Sequence, residues 1–388
     1  MAIWRECLLG DVLNLKRGYD LPHNVRSPGI IPVVSSSGIT DHHSEAKVKG
    51  PGVVTGRYGT LGQVFYVDSD FWPLNTSLYV QDFKGNDPRF ISYFLGTLNF
   101  GSHNAAGAVP GVNRNHLHAM EVRLPPLPIQ RRVAGILSAY DELIENNQQR
   151  IKILETMARA LYREWFVHFR FPGHENVRRV PSPLGEIPEG WEVKKLGELY
   201  DTSSGGTPSR KKPEYFEGGS IDWVKSQELL DGFILSSEER ITEKALDNSS
   251  AKVFPENTVL IALYGATIGK LGIIAEKAAT NQACCAVLPK RSAFGREFAF
   301  LTLLLNRERI IGLRLGAAQQ NISQVLLRNL DCVKPPDKLV SQFTGRSASF
   351  MDGILILQRQ TQNLRRTRDL LLPRLLSGQI DVEAIPHA

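Results

Sequence analysis

The sequence predicts an α+β molecule: two mixed α/β domains joined by two long antiparallel coiled-coil helices, with a pseudo-twofold internal repeat. Three observations predict it. The residues Val133, Leu137, Tyr140, Ile144, Asn147, Ile151, Leu154, Ala158, Leu161 and Trp165 recur at intervals of four and three, the heptad spacing of a helix packed along one stripe. A second seam lies 210 residues later, at Phe343, Ser347, Phe350, Ile354, Leu357, Thr361, Leu364, Arg368, Leu371 and Leu375. Both helices follow a Pro-Pro pair at the same offset, Pro125-Pro126 and Pro335-Pro336.

The elements follow in order. Residues 1–128 form a first domain, opening on Trp4 and Leu9-Gly10-Asp11-Val12. Its runs Gly52-Val53-Val54-Thr55 and Val64-Phe65-Tyr66-Val67 read as strands between glycine turns, and Pro88–Leu98 reads as a helix. A central helix spans 129–170, with Leu137, Ile144, Asn147, Ile151, Leu154 and Leu161 as pairing positions. The segment 171–189, rich in Pro and Gly, reads as a linker. A second domain, 190–336, reopens on Trp191 and Leu196-Gly197-Glu198-Leu199. Thr258–Leu263 and Leu271–Ile274 read as strands in it, and Glu297–Leu305 as a helix. The closing helix, 337–380, pairs through Ile354, Leu357, Leu364 and Leu371, and 381–388 is a tail. Because the linker is short, the second helix buries its stripe by running back along the first. About 40 residues of helix span roughly 60 Å, or one to two turns of B-DNA at about 34–36 Å each.

The 388 residues exceed one ordinary core, and 42% hydrophobic with 22% charged residues is a globular composition. No apolar run approaches the length of a membrane span and no secretory leader is evident, so a cytoplasmic protein is expected. The four cysteines lack zinc-ligand spacing and read as core thiols. The net charge of +6 hints at nucleic acid, but its placement weakens the hint. Residues 1–128 carry 11 Lys/Arg against 10 Asp/Glu, and residues 186–336 carry 19 against 19. The surplus sits on the helices, without a basic tail or stripe.

Catalytic motifs are absent. Gly265-Ala266-Thr267-Ile268-Gly269-Lys270 is one residue short of a P-loop and is followed by Leu271 rather than Ser or Thr. Gly56, Gly59 and Gly62 make no dinucleotide fingerprint, and the Pro-Pro pairs lack the flanking residues of a base-flipping methyltransferase loop. His42-His43 and His116/His118 have no supporting metal ligand. Polar loop residues remain, the usual equipment for reading base edges: Asn and Gln suit adenine, Arg and Lys suit guanine. The first domain offers Ser36, Ser37, Arg57, Tyr58, Asn113 and Arg114. The second offers Thr207, Arg210, Lys211, Lys225, Ser226, Gln227, Tyr264, Gln320 and Asn321. No catalytic residue and no metal site is expected.

Several phrases resemble a known family. Arg368-Asp369-Leu370-Leu371-Leu372-Pro373-Arg374-Leu375-Leu376-Ser377-Gly378-Gln379-Ile380 resembles the C-terminal conserved helix of type I restriction-modification specificity subunits. Ala160-Leu161-Tyr162-Arg163-Glu164-Trp165-Phe166 through Phe171-Pro172-Gly173 resembles their central conserved region. Gly205-Gly206-Thr207-Pro208 with Trp223-Val224-Lys225-Ser226 is similar to many of their target-recognition domains. The resemblance implies a non-catalytic subunit that recognises double-stranded DNA, each domain reading one half of an asymmetric bipartite site and the helices setting the spacer. It implies two methyltransferase subunits carrying S-adenosylmethionine, and two restriction/translocase subunits using ATP and Mg; this chain itself would bind no cofactor. The rival expectation is a coiled-coil interaction protein with two ligand-binding heads and no DNA role.

Overall fold

A computed structural model describes residues 4–58, 62–98, 111–313 and 321–384. The chain divides into two compact units, one of residues 1–145 and 362–388, the other of residues 146–361. Each unit therefore combines one head with parts of both long helices.

In the first unit, Arg5–Leu8 pairs antiparallel with Glu121–Leu124, closing the head on itself. An antiparallel sheet runs in the order Asn14–Arg17, Ser77–Asp82, Gly52–Gly56, Val64–Val67. A smaller sheet joins Gly38–His43, Ile31–Ser35 and Trp72–Pro73, the last pair parallel. The helix Pro88–Thr97 starts where the Asp87 carboxylate accepts from the Phe90 N–H at 2.8 Å, with Pro88 at its first position. Phe90, Ile91, Phe94 and Leu95 then join Leu15, Val53, Leu78 and Val80 in a core that also takes Val133 and Leu137 of the first long helix. Leu375 and Leu376 of the second long helix complete it.

The second unit repeats this plan with additions. Glu192–Lys195 pairs antiparallel with Asp331–Lys334. A five-stranded sheet has the order Tyr200–Ser204, Cys284–Pro289, Val259–Ala262, Leu271–Ile274, Gly232–Ile234. A four-stranded sheet has the order Arg240–Ile241, Ile221–Val224, Ala278–Thr280, Val253–Phe254. The helix Arg296–Leu305 packs Phe298, Ala299 and Leu301 against the five-stranded sheet, and Cys284, Cys285 and Cys332 are buried core thiols.

The first long helix spans Leu127–Tyr162 and the second Asp337–Leu376. Within the second unit, the Tyr162 ring lies 5.8 Å from that of Phe343, and Leu154 lies beside Gly353. Numbers rise on one helix as they fall on the other, so the paired segments are antiparallel. Every seam position is buried or half-buried. The three polar interruptions of the second seam differ in kind. Ser347 donates to the Phe343 carbonyl at 3.0 Å, and Arg368 meets Asp141 at 2.6 Å within the first unit. Thr361 is buried with no partner for its hydroxyl.

The segment 171–189 is more than a linker. Arg179–Ser182 and Gly185–Pro188 form a hairpin, and Phe171 and Ile187 are buried beside Trp191. The glycines that read as a break serve its turns: Gly173 and Gly185 take left-handed conformations, at φ 87° and 95°.

Candidate nucleic-acid interface

In the first head, four backbone hydrogen bonds tie the candidate loops into one edge. The Val112 N–H donates to Arg57 O (3.0 Å), Arg57 N–H to Thr76 O (3.0 Å), Leu74 N–H to Val34 O (2.8 Å) and Tyr19 N–H to Pro73 O (2.8 Å). The second head repeats all four. The Ile322 N–H donates to Leu263 O (2.9 Å), Leu263 N–H to Ala283 O (2.9 Å), Asn281 N–H to Val224 O (2.9 Å) and Gly206 N–H to Thr280 O (3.0 Å). The bonds give a residue-by-residue equivalence: Tyr58 with Tyr264, Gly111 with Asn321, Ser36-Ser37 with Ser226-Gln227, and Asn75 with Gln282. Antiparallel bridges Tyr58–Gly111 and Tyr264–Asn321 agree with it. Gly18 and Gly205 are equivalent by backbone crowding, since a Cβ would come within 2.2 Å of Leu74 O and 1.9 Å of Thr280 O respectively.

This frame gathers most of the candidates. Ser36 is half-buried and Ser37 exposed at the turn after Ile31–Ser35, with the Ser35 and Ser37 hydroxyls 3.0 Å apart. Tyr58 and Tyr264 are both exposed, and the Arg57 guanidinium lies over the Tyr58 ring at 4.6 Å. Lys225 and Ser226 are half-buried and Gln227 exposed, while Thr207 is exposed one residue beyond the Gly206 bond. Gln320 lies outside the described residues, as does Gly59-Thr60-Leu61.

Three sequence expectations change. Asn113, expected among the base readers, aligns with Ser323, and both are helix caps. The Asn113 side chain accepts from Asn115 N–H at 3.0 Å, and the Ser323 hydroxyl from Leu326 N–H at 3.2 Å. That leaves Arg114, at the first exposed position of the helix Arg114–His118, as the outward group there. Arg210 and Lys225 are not free cations: Glu239 meets them at 2.6 and 2.8 Å. Those two bonds hold the Glu239 carboxyl well below the usual range, at about 2. Lys211 stays exposed. His118 is a structural acceptor, its Nε2 taking the Leu15 N–H at 2.9 Å, and burial lowers its pKa.

Sequence reasoning missed Asn281, Gln282 and Asn75. The only signal was a polar pair or single residue at the entrance to an apolar strand, Asn281-Gln282 before Cys284–Pro289 and Asn75 before Ser77–Asp82. Glu239 was missed because its role depends on a partner 29 residues away in sequence, Arg210.

Two α/β heads carrying one hydrogen-bond frame, each followed in sequence by a long helix, define a repeated recognition module. The model of the type I restriction modification DNA specificity domain matches the chain over residues 1–156 and again over 188–338, and the chain belongs to that family. It is a type I restriction-modification specificity subunit, a DNA target-recognition protein that is itself non-catalytic. It is similar to the type I restriction enzyme MjaIX specificity subunit of Methanocaldococcus jannaschii, 27% identical over 76% of this chain and 68% of that one. The HindI specificity subunit of Haemophilus influenzae is 22% identical over 98% of this chain and 100% of its own. The fold matches the crystal structure of a type I restriction-modification S subunit from M. genitalium, with a TM-score of 0.69, 15% identity and 96% of both chains covered. Among the described residues, no helix is long and apolar enough to cross a membrane.

Proposed function

We propose that each head reads one half of an asymmetric bipartite DNA site from the major groove, and that the paired helices set the number of unread bases between the halves. The heads are residues 1–128 and 190–336; the helices are 129–170 and 337–380. The proposed readers are exposed or half-buried loop groups of the shared frame, with Tyr58 and Arg114 in one head and Gln227, Tyr264 and Asn321 in the other, while Arg57 contacts phosphate. Two methyltransferase subunits, carrying S-adenosylmethionine, methylate adenine in each half-site. Two restriction/translocase subunits join them, with ATP and Mg, and the assembly acts in the cytoplasm.

One observation carries this reading: four backbone bonds recur in both heads, while Tyr58/Tyr264 and Ser36/Ser226 repeat on them and Ser37/Gln227, Asn75/Gln282 and Gly111/Asn321 differ. A constant frame holds geometry, and divergent side chains on it suit two unlike half-sites. Near-neutral heads fit, because partner subunits can supply much of the phosphate contact. The test is methylome sequencing of a host expressing the complete system. The expected result is one bipartite motif with a methyl-adenine in each half; a continuous motif, or none, overturns the proposal.

A further inference from the structure

We propose that Gln282 reads a base edge for the second head, and that Asn75 holds the equivalent post in the first. The inference rests on the bipartite-reader reading and deepens it. Gln282 sits at the middle of the frame, between the Leu263–Ala283 bond and the Asn281–Val224 bond. Its backbone is pinned further because the Asn281 side chain accepts from Ala283 N–H at 3.1 Å. The side chain itself is exposed. It makes no hydrogen bond among the described residues. A rigid mount with an unengaged amide is the arrangement a bidentate contact to adenine needs, one donor and one acceptor presented together.

The neighbours sharpen the assignment. Lys225, next to the Val224 that holds Asn281, and Arg210 are ion-paired, both with Glu239 and Lys225 with Glu238 as well. Tyr264 and Asn321 lie on the other side, bridged to one another through the backbone. Gln282 thus carries the unengaged amide between them. Asn75 differs in one respect: its amide nitrogen donates to the Asp20 carboxylate. That bond constrains the amide orientation of a half-buried side chain. The two posts therefore differ in freedom: Gln282 has its whole amide unengaged, while Asn75 has one of its two amide N–H groups committed to Asp20 and keeps the other and its oxygen.

The test compares methylomes of hosts expressing the complete system with the wild-type chain, Gln282→Ala or Asn75→Ala, alongside thermal unfolding of each purified chain. Gln282→Ala is expected to keep the wild-type unfolding temperature, to keep one half of the motif intact, and to become degenerate at a position in the other half. Discrimination there falls about 5- to 150-fold. Asn75→Ala is expected to relax the opposite half. An unchanged motif with Gln282→Ala overturns the inference while leaving the bipartite reading in place. So does an equal loss on all DNA, or relaxation of the same half by both variants. A wild-type system that marks no bipartite motif overturns the underlying reading, and this inference with it.

Discussion

The two heads share a frame and differ in how they hold their cations. In the first, Arg57 lies 4.6 Å over the Tyr58 ring, and Lys47 lies 5.2 Å over Trp72 and 5.9 Å over Tyr19. In the second, Arg210 and Lys225 close on Glu239 and Arg307 and Lys270 on Asp231, with Arg210 also lying over the Phe216 and Trp223 rings at 4.5 and 5.2 Å; the first head has such a carboxylate pair at Arg26–Asp41, 2.7 Å. A ring face orients a cation and leaves its charge available. A carboxylate neutralises it. At Arg57 and Lys47 the first head therefore leaves charge available, while the second exposes the amides of Gln227 and Gln282. Similar backbones can thus divide the work of recognition differently between electrostatic attraction and base-edge hydrogen bonding.

The junctions with the helices differ too, and there the largest effect is expected. In the first unit the helix segments meet the head through Val133, Leu137, Leu375 and Leu376. In the second an aromatic cluster does this, with Phe343 fully buried among Tyr162, Trp165, Phe166 and Phe298. Phe343→Ala is expected to cost the second unit about 3–5 kcal/mol, cavity included. Denaturant unfolding followed by tryptophan fluorescence checks it, since Trp165 and Trp191 belong to that cluster. A loss below about 1 kcal/mol would place the unit's anchor elsewhere.

The charge contrast itself can be broken with paired variants. Arg57→Ala is expected to weaken DNA binding by the assembled complex on all sequences and to lower the slope of log affinity against log salt by about 1. Arg210→Ala leaves that slope nearly unchanged, because its charge is already spent. Equal slopes for the two variants would erase the proposed difference between the heads. On the acid side the sign is fixed by Glu239, whose folded pKa of about 2 lies below its ordinary value of 4.5. Its pairing stabilises the second head fully above about 4.5 and is lost as pH falls from there towards 2. Glu239→Gln should flatten the stability profile in that window, read by unfolding from pH 6 downward.

Much of this was legible in the sequence, and the parts that were not share a cause. The seams, the Pro-Pro starts and the strands at Gly52–Gly56 and Val259–Ala262 follow local periodicity, which the fold respects. The hairpin in 171–189 was hidden because Pro and Gly mark turns as readily as breaks. Asn113 looked like a base reader because its type fits adenine, yet local backbone donors claim it as a cap. Arg210 and Lys225 looked free because Glu239 is distant in sequence. A side chain's type says what it can bind, and only tertiary placement says what already binds it.

The smallest effect concerns the polar places in the seams. Asn147 and Thr361 are both buried within the second unit's helix pair, and the Thr361 hydroxyl is unpartnered. Replacing such a hydroxyl by a methyl keeps the shape and removes a desolvation cost, so Thr361→Val is expected to stabilise by about 0.5–1 kcal/mol. Asn147→Leu should stabilise by a similar amount, as apolar seam residues do, while weakening the preference for a single register. Under the proposed ruler role the two variants then separate. Thr361→Val leaves the spacer preference of a binding selection sharp, since a threonine hydroxyl without a partner specifies nothing. Asn147→Leu broadens it, admitting sites one base pair longer or shorter. If both variants only raise the unfolding temperature and neither broadens the spacer, Asn147 does not set the register, and the ruler's length is fixed by the aliphatic and aromatic junctions at its ends.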